Sequence, residues 1–365
     1  MVDTARPAAP PADDEGKPDS PTDLTRRSWW YVLKRTVREF SGDQCTDLAA
    51  ALTYYAVLAI FPGLLAVVSV LGIVGADNTE VRSTILDVIS PLVASSTLDS
   101  VRTLLDQLSG SQAGGYALAI GIAGALWSAS GYVGAFSRAM NRVYGVEEGR
   151  PFWKLRPLQL VITVITVVLC VVGLVILVVS GPVAESVGNA IGIGDTALTA
   201  WNIAKWPALA VVVVLAVALL YYLTPNVRQP RFQWVSPGAF LAIVVWVLAS
   251  VGFAFYVTNF SSYDRTYGSL AAVIIALLWL WLTNLALMFG AELDAELERG
   301  RELQAGMPAE KSLQLPLRDD RNVRKRRRKR REEIADAREI RDENGGSAGQ
   351  ASVFGPPRQP VPDER

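Results

Sequence analysis

The chain has 365 residues, 51% of them hydrophobic, with Lys plus Arg and Asp plus Glu balanced at 35 each. Several apolar runs exceed the ~20 residues needed to cross a ~30 Å hydrocarbon layer, which predicts an all-α integral membrane protein. There is no histidine, and this excludes His-dependent triads, His-pair nuclease chemistry and HExxH-type metal sites.

Residues 1–24 are rich in Pro, Asp and Ala and have little to bury, so residues 1–28 are expected to be a disordered cytoplasmic N-terminus. Between Ser28 and Phe40 the apolar residues Trp29, Leu33, Val37 and Phe40 recur at helical spacing, while Lys34, Arg35 and Arg38 take other faces. That pattern suits a short helix in the headgroup layer. The first strong apolar run begins near Ala49, too far along the chain for a cleaved signal peptide, so it is expected to be an uncleaved span. Cys45 and Cys170 are the only cysteines and are expected to be free thiols.

Six spans are predicted, at about 49–74, 116–137, 158–181, 206–224, 237–258 and 269–292, within a membrane domain covering residues 29–300. Counting Lys and Arg near the span ends tests the topology. One side collects Arg26, Arg27, Lys34, Arg35, Arg38, Arg138, Arg142, Arg150, Lys154, Arg156, Arg228, Arg231, Arg299 and Arg301, and the other holds only Arg82, Arg102, Lys205 and Arg265. The positive-inside rule then places both termini in the cytoplasm, in agreement with an even number of spans.

Within span 1 the stretch "ALTYYAVLAIFPGLLAVVSVLG" carries two unusual features. Pro62 lies ~20 Å along the helix from Ala49 and cannot donate to the carbonyl of Leu58. A kink and a freed carbonyl are expected there, and Gly63 permits close approach of another backbone. The alternatives are a kink that shapes the bundle and a broken helix facing a cavity. Tyr54 and Tyr55 lie ~8 to 9 Å inside the cytoplasmic end, so one is expected in the aromatic belt and the other facing protein.

Residues 77–115 form an external segment with Leu98, Val101, Leu105 and Leu108 along one helical face. Span 2 carries Gly121, Gly124, Ser128, Ser130, Gly131 and Gly134, a small-residue surface suited to tight packing. Arg138 and Asn141 lie three residues apart at its end and are candidates for contact with a lipid phosphate or for capping a neighbouring helix. Span 5 opens with Ser236-Pro237-Gly238, where proline suits the first helical turn. The turn before span 6 gathers Tyr263, Asp264, Tyr267 and Gly268, read as a hairpin with belt tyrosines. In span 6, Asn284 is expected to hydrogen-bond to another helix. Glu292 and Glu296 read as a solvated helix end, or else as a paired carboxylate site for a divalent cation.

Residues 301–365 are expected to form a charged, largely disordered cytoplasmic tail. Its run "RNVRKRRRKRR", Arg321 to Arg331, places nine basic residues in eleven positions. An electrostatic anchor on the anionic inner leaflet is favoured over nucleic-acid binding. No phosphate-binding loop, nucleophile elbow or C-x-x-C pair occurs. No catalytic residue, cofactor or metal site is therefore assigned, and membrane lipids are the expected partners.

Taken together, "ALTYYAVLAIFPGLLAVVSVLG", "ALWSASGYVGAFSRAMNRVYGVEEGRPFW", "YYLTPN" with "SPGAFLAIVVWVLASVGFAFYV", and "YDRTYGSLAAVIIALLWLWLTNLALMFGAELDAELE" resemble the YihY/BrkB family of bacterial inner-membrane proteins, once labelled ribonuclease BN. The resemblance covers about residues 29–300. It implies a six-helix bundle with both ends cytoplasmic, and the BrkB name, linked to serum resistance, points to the cell envelope. A zinc-dependent tRNA-processing nuclease is expected to use histidine ligands, which this chain lacks; a carboxylate-based two-metal nuclease is the form such an activity would take. Three functions stay open: transport or gating of a lipid or small solute through a cavity beside the helix 1 break, membrane scaffolding or assembly, and RNA processing.

Overall fold

The structure, a computed structural model, describes residues 11–74, 112–178, 195–229, 236–259 and 270–343 except 13, 15 and 19; side-chain surroundings are not described for residues 61–74, 112–122 and a few helix ends. The described chain is helical, with one isolated bridge between Val227 and Leu317. The helices are α1 (Arg26–Gly42), α2 (Cys45–Val74), α3 (Gln112–Val143), α4 (Phe152–Val178), α5 (Asp195–Leu223), α6 (Pro237–Asn259), α7 (Leu270–Gln304) and α8 (Arg321–Glu343).

Long Leu, Val, Ile and Ala runs form helices because only a helix satisfies every backbone group within one apolar segment. Among the described residues, four helical stretches are long and apolar enough to cross a membrane: Phe152–Leu177, Thr199–Leu223, Pro237–Thr258 and Val273–Gln304; Cys45–Ile60 is a shorter apolar helix. Their outward faces carry large exposed apolar side chains such as Val161, Val168, Val211, Leu248 and Phe255. A helix that is apolar on every side and still exposes such residues is suited to lipid as its solvent.

Local chemistry sets the ends. Thr25 caps α1 by accepting from the Ser28 amide at 3.2 Å, and Gln44, in the left-handed region at φ 56°, turns the chain between α1 and α2. Ser236 caps α6, its Oγ accepting from the Ala239 amide at 3.0 Å, and Pro237 occupies the first helical position as its sequence suggests.

Helix α7 is the hub, packing on α6, α1 and α2, while α3 packs on α2 and α4, and α4 on α5. Where α6 crosses α7, Gly238 meets Gly290 backbone to backbone. Where α1 crosses the end of α7, a Cβ at Gly300 would lie 2.8 Å from Val32 Cγ2. The core gathers Phe136, Met140, Tyr221, Met288, Leu52 and Ile162 at one end of the bundle.

Both flanks are more ordered than their composition suggests. Lys17 is buried and pairs with Glu298 at 2.8 Å, and Leu24 packs with Val32, Leu293 and Leu297. Residues 305–320 form a strap across the same end of the bundle, with Ala309, Leu313 and Leu315 buried, and 321–343 are helical. The expectation of a largely disordered 301–365 therefore fails over its described part. The same holds for the part of 1–28 from residue 11 on. Lys17 and Leu24 find partners on α7 more than 260 residues later in the chain, and Leu313 and Leu315 join the main core.

Candidate functional site

A polar seam runs along the junction of α2 and α7. Asn284, Glu292 and Glu296 lie at multiples of four residues on α7 and so share one face. Near the middle of α7, Asn284 donates from Nδ2 to Thr53 Oγ1 on α2 at 3.1 Å and accepts at Oδ1 from the Tyr132 hydroxyl on α3 at 2.9 Å. Eight residues further along α7, and eight back along α2, Cys45 Sγ donates to Glu292 Oε1 at 3.2 Å. Equal steps on two antiparallel helices place these rungs ~12 Å apart. Ala49 and Met288, midway between the rungs on the two helices, are each 0% exposed.

At the end of the seam Glu296 meets Arg35 of α1 at 2.9 Å and Arg299 at 3.0 Å. Glu292 and Glu296 are only 1% and 2% exposed, so the expectation of a solvated helix end is overturned. The cause is α1, which folds over the last turns of α7 and brings Arg35 with it. Among the described residues no group of three His, Cys, Asp or Glu side chains is arranged to hold a metal ion.

A neighbouring carboxylate, Asp294, faces the other way. It accepts from the Gly238 amide at 2.7 Å and from Ser236 Oγ at 2.5 Å, holding the start of α6 on α7. The Tyr221 hydroxyl donates to the carbonyl of Leu287, anchoring α5 to the same stretch.

A second network surrounds the turn between α3 and α4. Arg150 is buried and donates to Glu148 at 2.7 and 2.8 Å, to Ser137 Oγ at 3.1 Å and to the Thr224 carbonyl at 2.7 Å. Asn226 donates to the carbonyls of Glu147 and Asp319 at 3.0 and 2.9 Å, and its amide donates to Asn141 Oδ1 at 2.7 Å. The strap adds Arg318, which donates to the carbonyls of Val227 and Tyr222 at 2.8 and 2.5 Å, and Asp319, which pairs with Lys154 and Arg321. Gly149 is required at this crossing, because a Cβ there would strike the Asp319 carbonyl.

Burial by itself would raise the Glu148 carboxyl, but the bonds and charge of Arg150 hold it below the ordinary value. The Arg321 side chain and amide likewise hold Asp319 well below the usual carboxylate range. Carboxylates depressed in the folded state contribute stability that is present above their unfolded pKa, about 4, and is lost as pH falls towards the folded value. The protection factors of the backbone amides in 313–322 are therefore expected to stay constant from pH 8 to about 5 and to fall below about pH 4. Flat protection down to about pH 2 would show that these pairs do not hold the strap.

The other candidate residues are dispersed. Tyr54 is exposed and Tyr55 partly buried, their rings edge to face at 5.5 Å. Arg138 is exposed above the Tyr55 ring at 5.4 Å. Asn141, by contrast, is buried, with its Nδ2 on Glu148 and its Oδ1 taken by the Asn226 amide. The two therefore offer no joint surface to a lipid phosphate; Asn141 instead ties α3 to the loop after α5. Ser128 is exposed, and Ser130 is the buried serine, donating to the Trp127 carbonyl at 2.6 Å. Of the glycines on this helix, Gly131 and Gly134 receive Tyr55 and Gln159 while Gly124 has open space. Helix α2 runs as one helix through Pro62 and Gly63, whose surroundings lie outside the described residues, as do Tyr263, Asp264, Tyr267, Gly268 and the segment 77–111. Reading the sequence missed Cys45, Thr53, Tyr132, Arg150 and Asn226 as network members. The eight-residue spacing of Cys45 and Thr53 on α2, matching Glu292 and Asn284, was the signal available.

A chain whose described residues are helical, with several long apolar helices and polar contacts concentrated at one end of the bundle, has the build of a multi-pass membrane protein. Residues 36–313 match the family described as Virulence factor BrkB, and the chain belongs to that family. It is 28% identical over 271 residues to a Bacillus subtilis protein named "Putative ribonuclease-like protein YfkH", covering 74% of this chain and 96% of that one. It is 29% identical over 281 residues to a "UPF0761 membrane protein" of Halorhodospira halophila, covering 76% of this chain but 58% of that protein's length. A "UPF0761 membrane protein" of Vibrio campbellii is 29% identical over 270 residues, covering 73% and 81% of the two chains. No solved structure matches the chain.

Proposed function

We propose that the chain is a six-span protein of the bacterial inner membrane, with both termini cytoplasmic, that moves or gates a lipid or small solute in the cell envelope. The observation that carries this reading is the polar seam. Asn284, Glu292 and Glu296 on α7, with Thr53 and Cys45 on α2, extend polar contacts from within an apolar helix pair to the end of the bundle. Polar and ionisable groups are costly inside a membrane and characteristically mark pathways for solutes or protons. The asymmetric distribution of Lys and Arg supports the orientation.

A second reading, a membrane scaffold, draws on a different observation. The strap holds α8 against the bundle, with the Asn322 amide donating to the Gly149 carbonyl at 3.1 Å and Arg326 to the Glu148 carbonyl, while the basic residues of Arg321 to Arg331 stay exposed. A polybasic helix fixed in this way would lie along the anionic inner leaflet, or recruit acidic partners or nucleic acid. The ribonuclease-like name belongs to the Bacillus protein, and histidine-based nuclease chemistry has no counterpart in this chain.

The test is complementation of a null strain under envelope stress. Asn284→Leu and Pro62→Ala variants, shown to insert at native levels, are expected to lose most complementation, whereas deletion of residues 321–331 is expected to retain it. Full activity of both point variants together with loss on deletion would replace transport by the scaffold reading.

A further inference from the structure

Two guanidinium groups on the membrane helices have no carboxylate partner among the described residues. Arg156, in the first turns of α4, lies over the Trp127 ring of α3 at 5.1 Å and over Phe152 at 5.9 Å, with only Ser130 Oγ and Gln159 Oε1 near its Nη1, each at 3.4 Å. Arg138 of α3 is exposed and lies 5.4 Å from the centre of the Tyr55 ring of α2. Arg142, one turn further on, shows the contrast: it lies 3.8 Å from Asp43 and donates to Gln44 at 3.1 Å.

The two unpaired arginines belong to one surface. Trp127, Gly131, Gly134 and Arg138 follow at intervals of four, three and four, so they share a face of α3. That face is where α2 and α4 approach: a Cβ at Gly131 would lie 3.7 Å from the Tyr55 ring, and one at Gly134 would lie 3.4 Å from the Gln159 side chain. Long helical side chains lean towards the helix N-terminus, so Arg138 leans back along this face towards the two glycines. Arg156 reaches the same stretch from α4 through Ser130.

Stacking occupies the face of a guanidinium and leaves its in-plane N–H edge free to donate, the edge that matches phosphate oxygens. The surroundings are apolar and aromatic as well as cationic: Trp127 is 51% exposed, Phe152 63% and Trp153 72%. Two arginines without a carboxylate partner beside exposed aromatic rings suit an anion that also carries an apolar body.

We propose that this α2–α3–α4 surface binds the phosphate headgroup of an anionic phospholipid, with Arg138 and Arg156 donating to phosphate oxygens and the acyl chains lying against Trp127 and Phe152. The proposal deepens the lipid branch of the function proposed above. It is read by binding, which succeeds or fails whether or not the protein transports anything.

The test uses the full chain purified in detergent, with lipid retention measured by native mass spectrometry against phosphatidylglycerol and phosphatidylcholine. The native protein is expected to retain phosphatidylglycerol preferentially, and the Arg138→Gln/Arg156→Gln double variant to bind it roughly tenfold more weakly or worse. Lys205→Gln, a cation on a different helix, is expected to change nothing. Equal retention of the two lipids, an unchanged affinity in a monodisperse double variant, or displacement by millimolar inorganic phosphate would each overturn the assignment.

Discussion

Replacing Gly290 by alanine is expected to abolish the folded bundle, and Gly238→Ala is expected to be nearly as severe. At Gly290 an added Cβ would collide with the Gly238 carbonyl and would lie 2.7 Å from Ala242 Cβ and 2.8 Å from the Tyr221 hydroxyl. At Gly238 it would collide with the Gly290 carbonyl and lie 2.5 Å from Cγ of Asp294. Neither neighbour can step aside, because each backbone belongs to a helix held by its own ladder, and Asp294 is engaged with the amide and hydroxyl that start α6. Lipid tails are as apolar as the helix faces, so helices associate through close packing and polar contacts rather than by removing apolar surface from water. Separating α6 from α7 forfeits the packing along that seam and takes from Asp294 its two donors on α6, the Gly238 amide and the Ser236 hydroxyl. Overpacking of this kind costs about 1 to 3 kcal/mol in a yielding core, and more where backbone meets backbone. The check is thermal unfolding in lipid nanodiscs beside Gly124→Ala and Gly252→Ala, which have open space and should unfold close to the native protein. Native-like unfolding of Gly290→Ala would show that the two helices are further apart than described.

The apolar framework was readable because its signals are local. Composition and run length mark each helix, and the Ser236-Pro237 pair marks the start of α6 at the residue where it begins. Asn284 was readable for a related reason: one amide in an apolar run needs a partner on another helix, and Thr53 and Tyr132 supply it. Glu292 and Glu296 were not readable, because a carboxylate in a mixed charged stretch looks the same whether it meets water or Arg35 from a helix more than 250 residues earlier in the chain. The strap was hidden in the same way. Residues 305–320 have no apolar period of their own, and their order comes from Asn226, Gly149 and the Glu302 carboxylate, which accepts from the Gln314 amide at 2.9 Å. Asn141 shows the opposite error: its position near a span end suggested the lipid surface, whereas its amide is used to join two loops.

Arg150→Ala is expected to produce the largest loss at the strap end of the bundle. The side chain is 6% exposed and bonds four residues in three parts of the structure: Glu148 in the turn after α3, Ser137 within α3, and the carbonyls of Leu223 and Thr224 at the end of α5. Its own carbonyl accepts from Asn322 at 2.9 Å, which fixes the first turn of α8. Truncation leaves the Glu148 carboxylate without its counter-charge, removes the Arg150 donor from the Leu223 carbonyl, and leaves the Thr224 carbonyl with the Ser137 hydroxyl alone of its two side-chain donors. Breaking a buried pair from one side typically costs about 3 to 5 kcal/mol, much more than the pair contributes when compared with an apolar replacement. Arg150→Lys should recover only a small part of this, since one ammonium cannot serve a carboxylate, a hydroxyl and two carbonyls from one fixed plane. The loss should be directional. Limited proteolysis is expected to cut residues 305–320 rapidly in the alanine variant while α6 and α7 stay protected, because Asp294 and the Gly238–Gly290 contact do not involve Arg150. If Glu148→Gln, which removes the charge but keeps an acceptor, releases the strap to the same extent, the ion pair governs docking. If it leaves the strap in place while Arg150→Ala does not, the bonds from Arg150 to the end of α5 are what hold it.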